Sequence, residues 1–332
     1  MNDCRPRISI IVAARPDQQR VTALTALREL DSRHPPYEVW LARGLQPSRQ
    51  RNQAAQNAEG EILYFLDDDS LVSEENLAIL NEAFQDDELA VLGGPNLCPG
   101  DGSFWQTVFA AVMSSRFAFG PSSARYRAAG SRRASSEKEL ILCNLAIRAK
   151  AYTEGGGLDE ALYPNEENAL MDQLSRAGRR MVYDPDLVVY RYPRRSIAGF
   201  VRMIARYGRG RGEQVRRYPS MGSLPNFVPS AFLGFVLLWL VSPLLPPTLQ
   251  AMVWGVAFVY AILAVFCAMG LALRHRVSVA LGALPLLPLV HAVYGAGLLI
   301  GVVRANPVRS PEERTADVDL ERVFVSKGAE GS

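Results

Sequence analysis

The stretch Glu61-Ile62-Leu63-Tyr64-Phe65-Leu66-Asp67-Asp68-Asp69-Ser70 decides how this chain is read. Its apolar run, β-branched and aromatic, predicts a buried strand. Three carboxylates follow where that strand ends. In an open α/β sheet, ligands bind outside the carboxyl ends of the strands. Carboxylates this close repel one another unless a cation joins them. Hard oxygen ligands suit Mg2+ or Mn2+, ions that commonly share substrate phosphate. The alternative is an acidic cap for a helix beginning near Ser73, but a cap needs only one such side chain.

Working outward, residues 7–14 (RISIIVAA) predict a first buried strand and residues 17–30 a helix with Val21, Leu24, Leu27 and Leu30 on its apolar side. Residues 37–41 read as a second strand, and residues 48–58 as a short polar helix leading into the acidic strand. Helices over 73–84, 104–119 and within 163–178 alternate with strands over 88–94, 140–147, 181–183 and 187–190. Such alternation is the signature of an α/β fold, with parallel strands and helices on both faces.

The second half differs. Residues 218–273 and 277–303 contain no Asp, Glu, Lys or Arg. About 20 apolar residues suffice to cross a bilayer, and 226–246, 249–273 and 277–303 each reach that length. Residues 1–7 offer no apolar region of signal-peptide type, so the globular part is expected to stay cytoplasmic. Nine arginines and one acid, Glu213, lie between Arg191 and Arg217. Ile197, Phe200, Val201 and Ile204 share one helical face there, the pattern of a helix lying in the membrane interface and attracting membrane lipids. That position, and the absence of lysine, argue against nucleic acid. The net charge of +2 adds little. Cys4, Cys98, Cys143 and Cys267 show no paired spacing, and His34, His275 and His291 are too scattered for a zinc motif.

The order RISIIVAARP, PSRQRNQAAQNAEGEILYFLDDDS, CNLAIR, GGGLDEALYPNEEN and DPDLVVYRYPRRS resembles the family 2 glycosyltransferases. The ending YGRGR, the hydrophobic spans and HAVYGAG look like membrane-bound bacterial members that build exopolysaccharides, of the succinoglycan type. The resemblance runs to about residue 304. It implies a GT-A fold, a Rossmann-like mixed sheet binding a nucleotide-diphospho-sugar, followed by C-terminal transmembrane helices. The expected boundaries are a catalytic domain over 1–195, a basic interfacial segment over 196–225, three hydrophobic segments over 226–303 and a polar, flexible tail over 304–332.

By that resemblance the chain is an enzyme moving a sugar, with inversion, from a nucleotide-diphosphate donor to an acceptor hydroxyl. The implied acceptor is a lipid-linked glycan in cell-surface polysaccharide synthesis. The implied place is the cytoplasmic face of a bacterial inner membrane, as part of a polysaccharide assembly complex. Asp67 and Asp69 become an Asp-x-Asp motif holding a divalent cation, Mn2+ or Mg2+, against the leaving diphosphate. Asp67 and Asp68 also lie on the donor side. Glu166 and Glu167 match a Glu-Asp signature, which makes Glu167 the general base; two acids at a helix start would equally serve the helix dipole. Arg49 and Arg51 stand where the family carries an Arg-Asn pair, and an arginine fork suits phosphate. A solvated helix face is the alternative for them. Arg209 and Arg211 face either the diphosphate or lipid headgroups. For Cys143-Asn144 the expectation is core packing and a strand-end hydrogen bond. For Gly155-Gly156-Gly157 it is a turn or a close approach to sugar.

Two departures from the family stand out. Leu41-Ala42-Arg43-Gly44 carries no acid where many members read the base, leaving backbone groups or Asp17 for that task. Arg191 follows Val189-Tyr190 where many members place a metal-completing histidine. Arginine cannot ligate a cation, but it can neutralise diphosphate itself. Transfer onto a polyprenyl phosphate, which needs no base, and an inactive scaffolding relative both remain open. Three spans would put the tail outside although Arg304 and Arg309 flank it, against the positive-inside rule. Pro285 and Pro288 predict a hairpin or broken helix in the third segment, and Gly297 and Gly301 have the spacing for close helix packing.

Overall fold

The computed structural model describes residues 5–30, 35–304 and 317–326; Cys4, His34 and Arg309 lie outside them. Two compact units result. The first contains residues up to Pro99, Ala124–Tyr192 and the C-terminal strand; the second contains Gly100–Ser123 and the chain from Pro193 through the hydrophobic helices.

The first unit is an α/β fold with, among the described residues, eleven strands: β1 (Ile8–Ala14), β2 (Tyr37–Arg43), β3 (Ile62–Asp67), β4 (Leu71–Val72), β5 (Leu89–Gly93), β6 (Asn96–Leu97), β7 (Arg133–Ala134), β8 (Asn144–Arg148), β9 (Arg180–Tyr183), β10 (Val189–Tyr190) and β11 (Asp319–Ser326). Eight of them form one sheet, in the order β11-β2-β1-β3-β8-β5-β9-β7. Both faces are covered. Ile62, Tyr64 and Leu66 of β3 enter one apolar cluster while Leu63 and Phe65 enter the other. Two-sided burial is why β3 reads as a continuous apolar run.

β1, β2 and β3 run parallel, with Ala14 opposite Arg43 and Ala13 opposite Asp67. Their carboxyl ends therefore share one edge. β8 runs antiparallel between β3 and β5, and Leu66 pairs with Asn144. The sheet is thus mixed rather than all parallel. A small second sheet, β4-β10-β6, carries the chain back to the acids: Tyr190 pairs antiparallel with Leu71, so Arg191 arrives next to the turn that holds Asp67 to Ser70.

Within the tail expected to be flexible over 304–332, the described residues 317–326 correct that expectation, while 305–316 and 327–332 lie outside the described residues. Residues 319–326 form β11, antiparallel to β2 at the sheet edge. The reason is electrostatic as well as apolar. Glu38 of β2 is fully buried. It accepts from Ser9 Oγ at 2.6 Å and from the Glu59 amide at 2.7 Å, and Arg322 Nε of β11 pairs with it at 2.7 Å. Arg322 also reaches Glu59 at 3.1 Å, and Phe324 meets the Tyr37 ring edge-on.

In the second unit, Phe104–Met113 is a capped apolar helix, and a 21-residue helix, Ile197–Arg217, carries the arginine cluster. Three further segments, Gly222–Leu244, Pro247–Ala272 and Val277–Val303, are long and apolar enough to cross a membrane. The last is broken at Pro285 into the helices Val277–Ala283 and Leu286–Val303.

Arg322→Ala leaves the buried Glu38 carboxylate without its ion-pair partner, a loss of about 1–3 kcal/mol. We expect a thermal midpoint several degrees lower, and faster proteolysis at the C-terminus of the folded protein.

Candidate active site

The acids sit on a tight turn. Ser70 N–H donates to the Asp67 carbonyl at 3.1 Å, and Ser70 Oγ accepts from the Asp67 amide at 3.1 Å. Ser70 is therefore a buried turn residue, and the trio is splayed by the turn. Asp67 and Asp69 share Arg191: its Nη1 lies 2.8 Å from Asp67 Oδ2 and its Nε 2.6 Å from Asp69 Oδ1. Asp68 is turned elsewhere and bonds Gln18; its burial, opposed by that bond, raises its pKa.

The other oxygen of Asp67 belongs to Arg51, at 2.7 Å from Nη2. Arg51 projects from the helix Pro47–Asn57 and also faces Glu166, Nη1 to Oε1 at 3.5 Å. The result is a ladder of alternating charge: Asp69, Arg191, Asp67, Arg51, Glu166. Arg51 and Glu166 are nearly fully buried, whereas Asp69 is half exposed. The ladder runs from the exposed turn to the acid pair at the start of the helix Glu166–Arg176.

The two members of that pair differ. Glu166 is desolvated and repelled by Glu167, and the distant side of Arg51 compensates it only in part. Its pKa is raised to about 8. Glu167 Oε1 accepts from Asn168 Nδ2 at 3.1 Å, a neutral donor. Asn168 is itself fixed by Arg125, whose Nη2 donates to its Oδ1 at 2.6 Å. Asn165, just before the pair, has a left-handed φ of 90° and leaves its buried Nδ2 without a partner.

Of the residues singled out from sequence, the structure brings together Asp67, Asp69, Arg51, Arg191, Glu166 and Glu167. Arg49 is partly exposed on the first turn of the Arg51 helix. Arg209 and Arg211 belong to the second unit, on the helix Ile197–Arg217, where Arg211 Nη1 donates to Gln214 Oε1 at 2.9 Å. Cys143 is buried beside Arg191, and burial pushes its thiol up to about 11, which leaves it an unreactive packing group. Asn144 accepts from Tyr64 OH and donates to the carbonyls of Pro95 and Leu187, closing the end of β8. Gly157 makes a turn at φ 73°, where a Cβ would meet Asn52 Oδ1 at 2.8 Å. Asn52 in turn clamps the Leu158 backbone through both amide and carbonyl. Asp17 is exposed in the segment after β1, and Arg43 at the end of β2 donates to the Gln18 carbonyl at 2.6 Å.

Residues 1–210 match a family model described as Glycosyltransferase like family 2. The chain belongs to this family. None of the curated proteins matches its sequence. Among solved structures, the mannosyltransferase PcManGT from Pyrobaculum calidifontis, in complex with GDP-Man and Mn2+, superposes with a TM-score of 0.53 at 16% identity, covering 90% of this chain and 87% of its own. S. aureus TarS 1–349, in complex with UDP-GlcNAc, gives 0.43 at 14% identity, covering 64% of this chain and 71% of its own. The first likeness places the glycosyltransferase in the GT-A fold; the second is too distant to argue from.

Among the described residues no group of three or more His, Cys, Asp or Glu side chains could hold a metal ion. Asp67 has both oxygens on arginines and Asp69 has one. The donor set therefore fits a hard cation only jointly with substrate phosphate, as Mg2+ is commonly held.

The sequence does not show the Arg51–Glu166 bridge or the Arg125–Asn168 support for Glu167. Arg51 stood out only as one of two arginines, and Arg125 carried no signal. A buried Glu166 that binds its proton more tightly folded than unfolded costs stability once ionised. Folding stability should fall as pH rises from near 4.5 through about 8. Glu166→Gln should flatten that slope in a thermal-midpoint titration.

Proposed function

We propose that this glycosyltransferase transfers a sugar from a nucleotide-diphosphate donor to an acceptor hydroxyl with inversion, anchored to a membrane. The alternating ladder beside an acid pair carries the reading. A donor diphosphate brings negative charge that must be matched, and Arg191 and Arg51 can each turn from carboxylate to phosphate without leaving the ladder. An arginine fork meets phosphate bidentately. Glu167, held by Asn168 rather than paired with a cation, is the general base that takes the acceptor hydroxyl's proton. Glu166 and Arg51 hold it in register with the donor acids.

Asp67 and Asp69 would hold the divalent cation, Mn2+ or Mg2+, which when bound supplies charge neutralisation at the leaving β-phosphate. Arg191 competes for the same oxygens. The three apolar segments and the arginine-rich helix support anchoring, and a lipid-linked glycan is the acceptor that gives such anchoring a purpose. The setting that fits is the cytoplasmic face of a bacterial inner membrane, in exopolysaccharide synthesis of the succinoglycan type, alongside an assembly complex.

Detergent-purified protein screened with GDP-Man, UDP-GlcNAc and related donors, with and without Mn2+, tests the proposal. Binding of none would end it. Glu167→Gln should lower turnover by ~10²–10⁴-fold with donor affinity unchanged, the usual worth of a general base. Full activity in that variant would point instead to a phosphate acceptor, which needs no base.

Arg191→Ala leaves Asp69 to the cation alone and Asp67 to the cation and Arg51. Its residual turnover should be more sensitive to EDTA than that of the wild type, measured as the ratio of rates with and without chelator.

A further inference from the structure

β11 belongs to the same sheet as β2 and is bound to it by the Arg322–Glu38 pair. A chain that leaves a folded sheet, enters a bilayer and returns a strand to that sheet must cross an even number of times. The three apolar segments between Pro193 and β11 therefore cannot all cross. Composition does not separate them: their mean hydropathies are 2.0, 2.3 and 2.0. Packing does. Of the apolar windows, 39% is buried in Val277–Val303, against 6% in Gly222–Leu244 and 11% in Pro247–Ala272.

Two sets of neighbours bury the third segment: at its middle the hairpin helices, where His291 Nδ1 lies 3.0 Å from Tyr260 OH and a Cβ on Gly295 would lie 2.3 Å from the Pro229 carbonyl oxygen, and over its last turns the arginine-rich helix. A Cβ on Gly297 would lie 2.4 Å from the Ala205 carbonyl oxygen, and one on Gly301 2.0 Å from that of Arg209. Reciprocally, a Cβ on Gly208 would lie 2.2 Å from the Tyr294 oxygen, and one on Gly212 2.1 Å from that of Leu298. Numbers rise together on both helices, so Ile197–Arg217 and Leu286–Val303 run parallel, backbone to backbone, for two turns. Over those two turns they share one depth. Arg202, Arg206, Arg216 and Arg217 are exposed on the first of them, and arginine at the bilayer centre is costly unless it reaches the interface. Phe200 and Ile204 are buried on its other side.

We infer that only Gly222–Leu244 and Pro247–Ala272 cross, as a hairpin, and that the third segment dips beside that hairpin at His291 and turns back, its last turns lying with Ile197–Arg217 as a paired platform in the anionic headgroup layer on the side of the bilayer from which the hairpin starts. Both hairpin helices expose large apolar side chains, among them Leu240, Met252, Phe258 and Phe266. The hairpin returns the chain to Arg274 and Arg276, and the platform delivers Arg304 and β11 on that same side. The span-count conflict noted from sequence disappears.

The inference rests on the membrane anchoring proposed above, and the test separates the two. The full-length chain is expressed with one added cysteine at a time at exposed positions, Thr248→Cys in the hairpin turn, Arg276→Cys after it and Glu321→Cys on β11, with the wild-type chain and its four native cysteines as the labelling blank. A membrane-impermeant maleimide should label Thr248→Cys in intact cells, and Arg276→Cys and Glu321→Cys only after permeabilisation. Labelling of Glu321→Cys together with Thr248→Cys in intact cells overturns the inference, since the third segment then crosses. Release of the wild-type protein from membranes by alkaline carbonate overturns the anchoring itself. As an independent readout, binding of the purified protein to nanodiscs should leave the arginine platform in contact with lipid: replacing phosphatidylcholine by phosphatidylglycerol should protect the 197–217 backbone from hydrogen exchange. Equal exchange in both lipids also overturns it.

Discussion

Asp67 is claimed by two arginines at once, and the site depends on that sharing. One oxygen meets Arg51 and the other Arg191. Without them, the carboxylates at the end of β3 would repel one another and the buried Glu166 would stand uncompensated. Removing one partner of a buried pair costs about 3–5 kcal/mol even where the intact pair adds little, because a charge is left behind in low dielectric. Each rung is thus fixed by its neighbours. The fold supplies the rungs from distant places: Arg51 from a helix before β3, Arg191 from the residue after β10, the strand antiparallel to β4, and Glu166 from a helix start that follows β8. The same sharing makes the site responsive. On the proposed reading, a donor diphosphate arriving at the exposed Asp69 end would compete for Arg191 first, and the loosening there would pass to Asp67 and Arg51.

Much of this was legible in the chain and some was not, for physical reasons. β3 and its acids could be read because burial on both faces forces an unbroken apolar run, and because a strand end is where polar groups can stop being buried. The direction of β8 could not. CNLAIR is as apolar as a parallel core strand would be, and periodicity does not encode which way a strand runs. Arg191 was visible as a departure from the family, but its partners follow from the register of two-residue strands, which no local pattern marks. Arg51 and Glu166 are more than a hundred residues apart, and each has an innocent local explanation. β11 was missed for a further reason. The register shifts between Arg322 and Phe324, so the alternation expected of an edge strand is broken by a bulge. Its partner strand lies near the other end of the sequence.

The hydrophobic part poses the complementary problem. Composition announces apolar helices plainly, yet gives nearly equal hydropathy to segments with different neighbours. The decisive information lies in glycines. Gly208, Gly210 and Gly212 sit inside a helix that also carries the arginine cluster. Interior glycine costs about 0.8–1.0 kcal/mol relative to alanine at each position, so these three weaken the isolated helix by about 3 kcal/mol. A helix so weakened forms because something else holds it, and Gly297 and Gly301 of Leu286–Val303 approach its backbone too closely for any side chain to intervene. Each helix is small where the other is close. Arg202, Arg206, Arg216 and Arg217 then face outward because the inner face has no room for them, and the amphipathic pattern read from Ile197, Phe200 and Ile204 follows from backbone contact as much as from attraction to lipid.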